Sequence, residues 1–112
     1  MMFQEALDLE RKLWTNNPAR LPSLAERIQI VARTFQREEK FAETEPLLLE
    51  LNDLLQPSDR VASNRKREAI ECLWQFYTSW AVAAPNTGKM EKALEWRKKL
   101  TRFDETSKQK QA

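Results

Sequence analysis

Histidine is absent from this 112-residue chain, and glycine and cysteine each occur once. Without histidine there is no His-based triad, no ordinary catalytic zinc site and no usual general base. With Cys72 alone there is no internal disulfide, no thiolate zinc cluster and no Cys-x-x-Cys redox pair. One glycine is too few for sandwiches, barrels or nucleotide-binding α/β folds, which place glycines at tight turns and phosphate loops. No apolar run approaches the roughly 20 residues that span a bilayer. The start, Met1-Met2-Phe3-Gln4-Glu5, has neither the basic nor the apolar segment of a signal peptide. A cytoplasmic location, no cofactor, no metal and no membrane insertion are therefore expected.

What remains is rich in helix formers. Apolar residues make up 41% of the chain and charged residues 32%, a balance that suits a folded, helix-rich domain and argues against disorder. The length leaves room for one domain. The net charge is +2, which does not call for nucleic acid or an anionic membrane. The two halves differ, however. Residues 1–56 carry 7 basic and 10 acidic groups, and residues 57–112 carry 12 and 7. The basic excess lies in Arg65-Lys66-Arg67 and in Arg97-Lys98-Lys99 with Arg102.

Apolar residues recur with the helical period, and five helices are predicted. The first runs from about Phe3 to Thr15 and ends at Asn16-Asn17-Pro18. The second begins after Pro22, where Ser23 and Glu26 read as a capping box. Its stripe is Leu24, Ile28, Val31, Ala32 and Phe35, and Arg37-Glu38-Glu39-Lys40 is a polar break. The third runs from about Phe41 to Leu55, with Pro46 early in it. Ser58 or Asp59 is placed to cap the fourth, from about Arg60 to Val82, whose stripe is Ala69, Ile70, Leu73, Trp74, Tyr77 and Trp80. Ala84-Pro85-Asn86-Thr87-Gly88 is a loop. The fifth runs from about Lys89 to Phe103, with Met90, Ala93, Leu94, Trp96 and Leu100 as its apolar positions; a polar tail, 104–112, is expected to fray. No stretch alternates with period two, so the class is all-α.

The helices repeat. Ile28-x₂-Val31-Ala32-x₂-Phe35 followed by Phe41-Ala42-Glu43-Thr44-x₃-Leu48 fits the two halves of the tetratricopeptide pattern, and Pro57 closes the unit. Phe3-Gln4-Glu5-Ala6, Leu13 and Pro18 fit a second half alone; Phe3 to Phe41 and Ala6 to Thr44 share one 38-residue offset. Ile70-x₂-Leu73-Trp74-x₂-Tyr77, then Gly88 to Ala93 and Leu100, give a looser unit with an insertion at 81–87. The chain thus resembles the tetratricopeptide repeat (TPR) family over nearly its whole length. The run Lys40-Phe41-Ala42-Glu43-Thr44-Glu45-Pro46-Leu47 is similar to the longer-period, kinesin-light-chain-like variant. The last unit is similar to C-terminal repeats of some bacterial serine/threonine kinases, through Tyr77-Thr78-Ser79-Trp80, Gly88-Lys89 and Ala93-Leu94-Glu95-Trp96-Arg97; no kinase catalytic motif is present. Two residues depart from the family pattern: Trp74 stands at a small-residue position and Arg97 at a position usually aromatic. The expected organisation is one TPR-like α-solenoid domain, 1–103, of about five helices in antiparallel pairs: a half unit 1–18, a unit 22–57 and a looser unit 60–103.

The resemblance implies a scaffold or protein-interaction module of a larger bacterial signalling or regulatory protein, with no enzymatic activity, whose first-half helices line a groove for a peptide or protein. The positions it assigns to that groove are Glu26, Gln29, Arg33, Gln36 and Arg37, then Glu68, Glu71, Gln75, Thr78 and Ser79. Their chemistry suits peptide recognition, and equally a plain solvated helix surface. An alternative is self-association through an open apolar face of the first helix: Phe3, Leu7, Leu13 and Trp14. The third reading is an RNA-contacting domain; Glu68, Glu71, Glu91 and Glu95 interrupt the positive field and weigh against nucleic acid. Trp14, Trp74, Trp80 and Trp96 read first as core, with Trp96 beside a basic cluster. Cys72 reads as a small buried hydrophobe, since nothing is present to activate it.

Overall fold

The structure, a computed structural model, describes the backbone of residues 2–58 and 61–111 and the side chains of residues 5–58 and 61–106. Its elements are α1 (Met2–Asn16), a single 3₁₀ turn (Pro18–Arg20), α2 (Leu21–Arg37), α3 (Phe41–Leu55), α4 (Ser63–Ala83) and α5 (Lys89–Gln111). No strand occurs among the described residues. The fold is all-α, of the helical-repeat kind. The chain forms two compact units, residues 1–61 and 62–112.

In the first unit α2 packs against both α1 and α3. Leu24 and Ile28 are fully buried, with Val31, Ala32 and Phe35 continuing the line at the i, i+3, i+4 spacing of one helix face. Leu21 and Ala25 are buried as well, and Leu21 moves the helix start. The capping box at Ser23 does not form: Ser23 lies inside the first turn, Arg20 holds the N-cap position without a side-chain bond, and Pro22 sits where its missing N–H is harmless. The side chain that caps is Asn17, whose Oδ1 accepts from the Ala19 N–H at 3.2 Å in the 3₁₀ turn.

Arg37 belongs to α2 rather than to the polar break. The helix stops in a Schellman arrangement: Lys40 N–H reaches Phe35 O and Glu39 N–H reaches Gln36 O, each at 3.0 Å, with Glu39 at φ 58°. The Lys40 ammonium lies 5.7 Å from the centre of the Phe35 ring, closing the turn over the helix end. α3 keeps its expected bounds. Pro46 has no N–H to offer Ala42 O, and both residues lie on the exposed side of the helix. Thr44 is fully buried, and its hydroxyl donates to Lys40 O at 2.8 Å.

In the second unit α4 and α5 pack together. Leu73, Phe76 and Tyr77 of α4 are almost wholly enclosed, and Ala93, Trp96 and Leu100 of α5 are buried as well. Ser58 does not cap α4, which starts only at Ser63 with Ala62 as N-cap; Asp59 lies outside the described residues. The helices run antiparallel in a register written by side chains. Arg67 bonds Asp104, Arg97 sits over Trp74 (5.5 Å), Lys92 over Tyr77 (5.7 Å) and Lys89 over Trp80 (4.0 Å). Each such cation–π contact stabilises by about 0.5–1 kcal/mol when exposed. The two departures from the repeat pattern therefore answer one another: Trp74 at the small position is covered by Arg97 at the aromatic one.

Arg67 also holds the first residue of the segment expected to be a tail: its Nε and Nη2 donate to the Asp104 carboxylate at 2.8 and 3.3 Å, and α5 runs on past it to Gln111. Met90 and Leu94, read as stripe residues, are instead about half exposed, at 49% and 51%. Phe76 and Ala81 take their place in the core. Trp74 and Trp80 are half-buried, and Trp96 is buried.

The turn between α4 and α5 needs two left-handed residues, Asn86 (φ 69°) and Gly88 (φ 77°). A Cβ at Gly88 would meet nothing within 4 Å, so the cost of a side chain there is purely conformational. Gly88→Ala is expected to lower stability by about 1–2 kcal/mol, read from urea denaturation; an unchanged midpoint would mean the turn has a second conformation that alanine accepts.

Candidate functional site

The residues assigned to a groove fall in both units. On α2, Glu26, Arg33 and Arg37 are exposed, with Gln29 and Gln36 half-buried beside them. At 3.6 residues per turn Glu26, Ile30, Arg33 and Arg37 make one line along the helix, directly opposed to the buried line of Leu24, Ile28 and Val31. Ile30 is 44% exposed in its middle. No ion pair or side-chain hydrogen bond engages Arg33 or Arg37 among the described residues. The face thus offers two guanidinium groups, two amides, a carboxylate and one aliphatic side chain. Ile30 escaped the sequence reading, although its place off the buried stripe was the available signal.

On α4, Glu68, Gln75 and Ser79 are exposed and share a line with the half-buried Cys72. The other two assigned residues are committed elsewhere. Glu71 accepts from Arg67 Nη1 at 2.8 Å, and the Thr78 hydroxyl donates back to Trp74 O at 2.8 Å. The hydrogen bond to Asp104 is the largest cause holding the Arg67 guanidinium above its ordinary pKa, followed by the charge of Asp104, with Glu71 adding to it. This set is a structural tie of α4 to α5, which leaves only Glu68, Gln75 and Ser79 open to a partner.

Of the residues assigned to a self-association face, Leu7 is 2% exposed and packs inside the first unit, so it cannot belong to an open surface. Leu13 and Trp14 are half-buried. The Phe3 side chain lies outside the described residues. Among the described residues of α1 the exposed large apolar side chain is Leu9, at 58%, one turn from Leu13 on the flank that also carries Glu5.

A cleft of about 710 Å³ opens between α1 and α3 over the end of α2, floored by Leu7, Val31, Phe35 and Leu47. Its size matches small-ligand sites, but its central cation is already spent. Arg11 bridges the cleft to Glu50 with two bonds, Nε–Oε2 at 2.9 Å and Nη2–Oε1 at 2.7 Å, and its Nη1 donates to Asp8 at 2.7 Å. The hydrogen bond to Glu50 is the main cause raising the Arg11 pKa. With its nitrogens bonded to Glu50 and Asp8, Arg11 serves to tie α1 to α3 rather than to receive a ligand. Among the described residues no group of three or more His, Cys, Asp or Glu side chains is placed to hold a metal ion, and no helix is long and apolar enough to cross a membrane.

The sequence matches no protein-family model and no curated protein. Among solved structures the chain is similar to BtubC (BKLC) from P. vanneervenii, a kinesin light chain-like TPR-type protein, with a TM-score of 0.68 and 22% identity. The match covers 94% of this chain and 39% of that one, so this chain spans well under half of its neighbour's length. A likeness of that identity carries the architecture: the chain has the fold of a helical-repeat protein.

Proposed function

We propose that this chain is a non-catalytic protein-interaction module that binds a peptide or protein segment through the open face of α2. In this reading it works within a larger signalling or regulatory protein, as the likeness of its last unit to bacterial kinase-linked repeats implies. Helical-repeat folds commonly mediate protein interactions. The single observation that carries the site is the exposed line Glu26–Ile30–Arg33–Arg37, in which an aliphatic anchor stands between a carboxylate and two unengaged guanidinium groups. Arginine forks recognise carboxylates bidentately, and an apolar centre with a polar rim is the usual anatomy of a binding patch. A ligand with an aliphatic side chain one turn from an acidic residue fits it.

The test is a selection of peptides from a displayed random library on the immobilised protein, followed by titration of a selected peptide against variants. Ile30→Asp and Arg33→Glu are each expected to weaken binding by about 30-fold or more, the loss typical of a central contact. Selected peptides that bind both variants as tightly as the parent would refute the site.

A second reading, self-association, rests on Leu9. Its exposure beside Leu13 gives α1 an apolar flank suited to a second copy. Sedimentation over a range of concentrations decides it: a dimer abolished by Leu9→Glu supports pairing through α1, and a concentration-independent monomer excludes it.

A further inference from the structure

The flank of α5 that turns away from the core combines features the proposed α2 site does not use. Met90 and Leu94 stand one turn apart and are 49% and 51% exposed. Just beyond them Leu94, Arg97, Lys98, Thr101 and Arg102 line a shallow open cleft of about 400 Å³ that contains three cations and no carboxylate. No ion pair engages those cations among the described residues. Arg97 is held in place by the Trp74 ring beneath it, at 5.5 Å, so part of the cost of ordering its side chain on binding is met in advance. The unit as a whole is positive, with 11 basic and 6 acidic residues in 62–112, whereas residues 1–61 carry 8 and 11.

We infer that this flank of α5 is a second, independent docking surface, and that its occupant is an acidic amphipathic helix of a protein partner. Charge complementarity selects the acid: three cations outside any ion pair among the described residues, lining a cleft without a carboxylate, favour a ligand with carboxylates flanking a leucine-type stripe. Helical form follows from the spacing, because Met90, Leu94, Arg97 and Thr101 make a ridge along α5 whose neighbouring groove accepts side chains at i, i+3 and i+4 of a second helix. Single-stranded RNA is disfavoured because stacking needs open aromatic faces, whereas Trp96 is buried and the Trp74 ring is covered by Arg97. A membrane surface is disfavoured because, among the described residues, the large apolar side chains this helix exposes are Met90 and Leu94 alone, too little apolar surface to sink into a bilayer interface.

The probe is a synthetic 20-residue helical peptide with leucines on one stripe and glutamates flanking them, compared with the same peptide bearing lysines for glutamates. Binding is read from intrinsic tryptophan fluorescence, which Trp74 reports, and from calorimetry. The acidic peptide is expected to bind, and Arg97→Glu with Lys98→Glu to weaken it by about 10-fold or more, as is Leu94→Asp; all three positions are exposed, so helicity is expected to persist, and circular dichroism checks it. Arg33→Glu on α2 is expected to leave this binding unchanged, which separates it from the proposed α2 site. The inference is overturned if the acidic and basic peptides bind alike, or if neither binds at millimolar concentration. It is overturned equally if a uridine oligonucleotide or a phosphatidylserine vesicle binds where the acidic peptide does not, or if Leu94→Asp abolishes a concentration-dependent dimer, which would make a second copy the occupant.

Discussion

Phe76→Ala is expected to lower the unfolding free energy by about 3–5 kcal/mol, the range for emptying a buried aromatic site. Phe76 is fully enclosed. Its ring meets Tyr77 edge-on at 5.1 Å and Trp80 at 5.5 Å, while Tyr77 and Trp80 lie nearly parallel at 6.3 Å. Alanine removes the shared member of this cluster, so aromatic contacts of about 0.5–1.5 kcal/mol each are lost together with the hydrophobic transfer. A domain with a total stability of about 5–15 kcal/mol would be left marginal. Urea denaturation followed by circular dichroism reads the change as a lower midpoint. A loss below about 1 kcal/mol, the scale of surface substitutions, would mean that Phe76 is not the centre of the α4–α5 core.

The second large effect is a contrast between two isoleucines on one helix. Ile28 is fully buried and Ile30 is 44% exposed, although they are only two residues apart, because two steps of a 3.6-residue helix reverse the face. Ile28→Ala is expected to cost about 2–5 kcal/mol through lost burial and the cavity left behind. Ile30→Ala is expected to stay within about 0.5 kcal/mol, as surface substitutions do. The same denaturation experiment reads both. Equal losses would contradict the rotation of α2 and, with it, the assignment of Ile30, Arg33 and Arg37 to an open face.

These contrasts bear on how much the sequence discloses. The bounds of α3 are legible because a turn and a proline segment frame an apolar run on both sides. The start of α2 is not, because the capping signal at Ser23 competes with the burial of Leu21, and burial of a leucine outweighs a cap bond of about 1 kcal/mol. In α5 the apolar residues offer two stripes, and composition does not rank them. The line through Ala93, Trp96 and Leu100 stays apolar and is buried, whereas the line through Met90 and Leu94 runs into Arg97 and Lys98 and stays open.

On the α2 face the repeat resemblance points to Glu26, Gln29, Arg33, Gln36 and Arg37, whereas nothing in the repeat pattern points to Ile30, whose place off the buried stripe is its one signal in the sequence. Glu71 was misassigned for a different reason. Its partner Arg67 is fixed by Asp104, 37 residues further along the chain, and a tie of that range has no local signature. The mutual accommodation of Trp74 and Arg97 is of the same kind: each departs from the repeat pattern on its own helix and makes sense only across the helix pair.

The proposed function requires α2 to present the binding face, and the most direct measurement is amide chemical-shift mapping of the ¹⁵N-labelled protein titrated with a library-selected peptide. The expected perturbations centre on Glu26, Gln29, Ile30, Arg33, Gln36 and Arg37 and vanish in the Ile30→Asp variant. Perturbations centred instead on Leu9 and Leu13 of α1, or on Glu68, Gln75 and Ser79 of α4 with α2 silent, would contradict it.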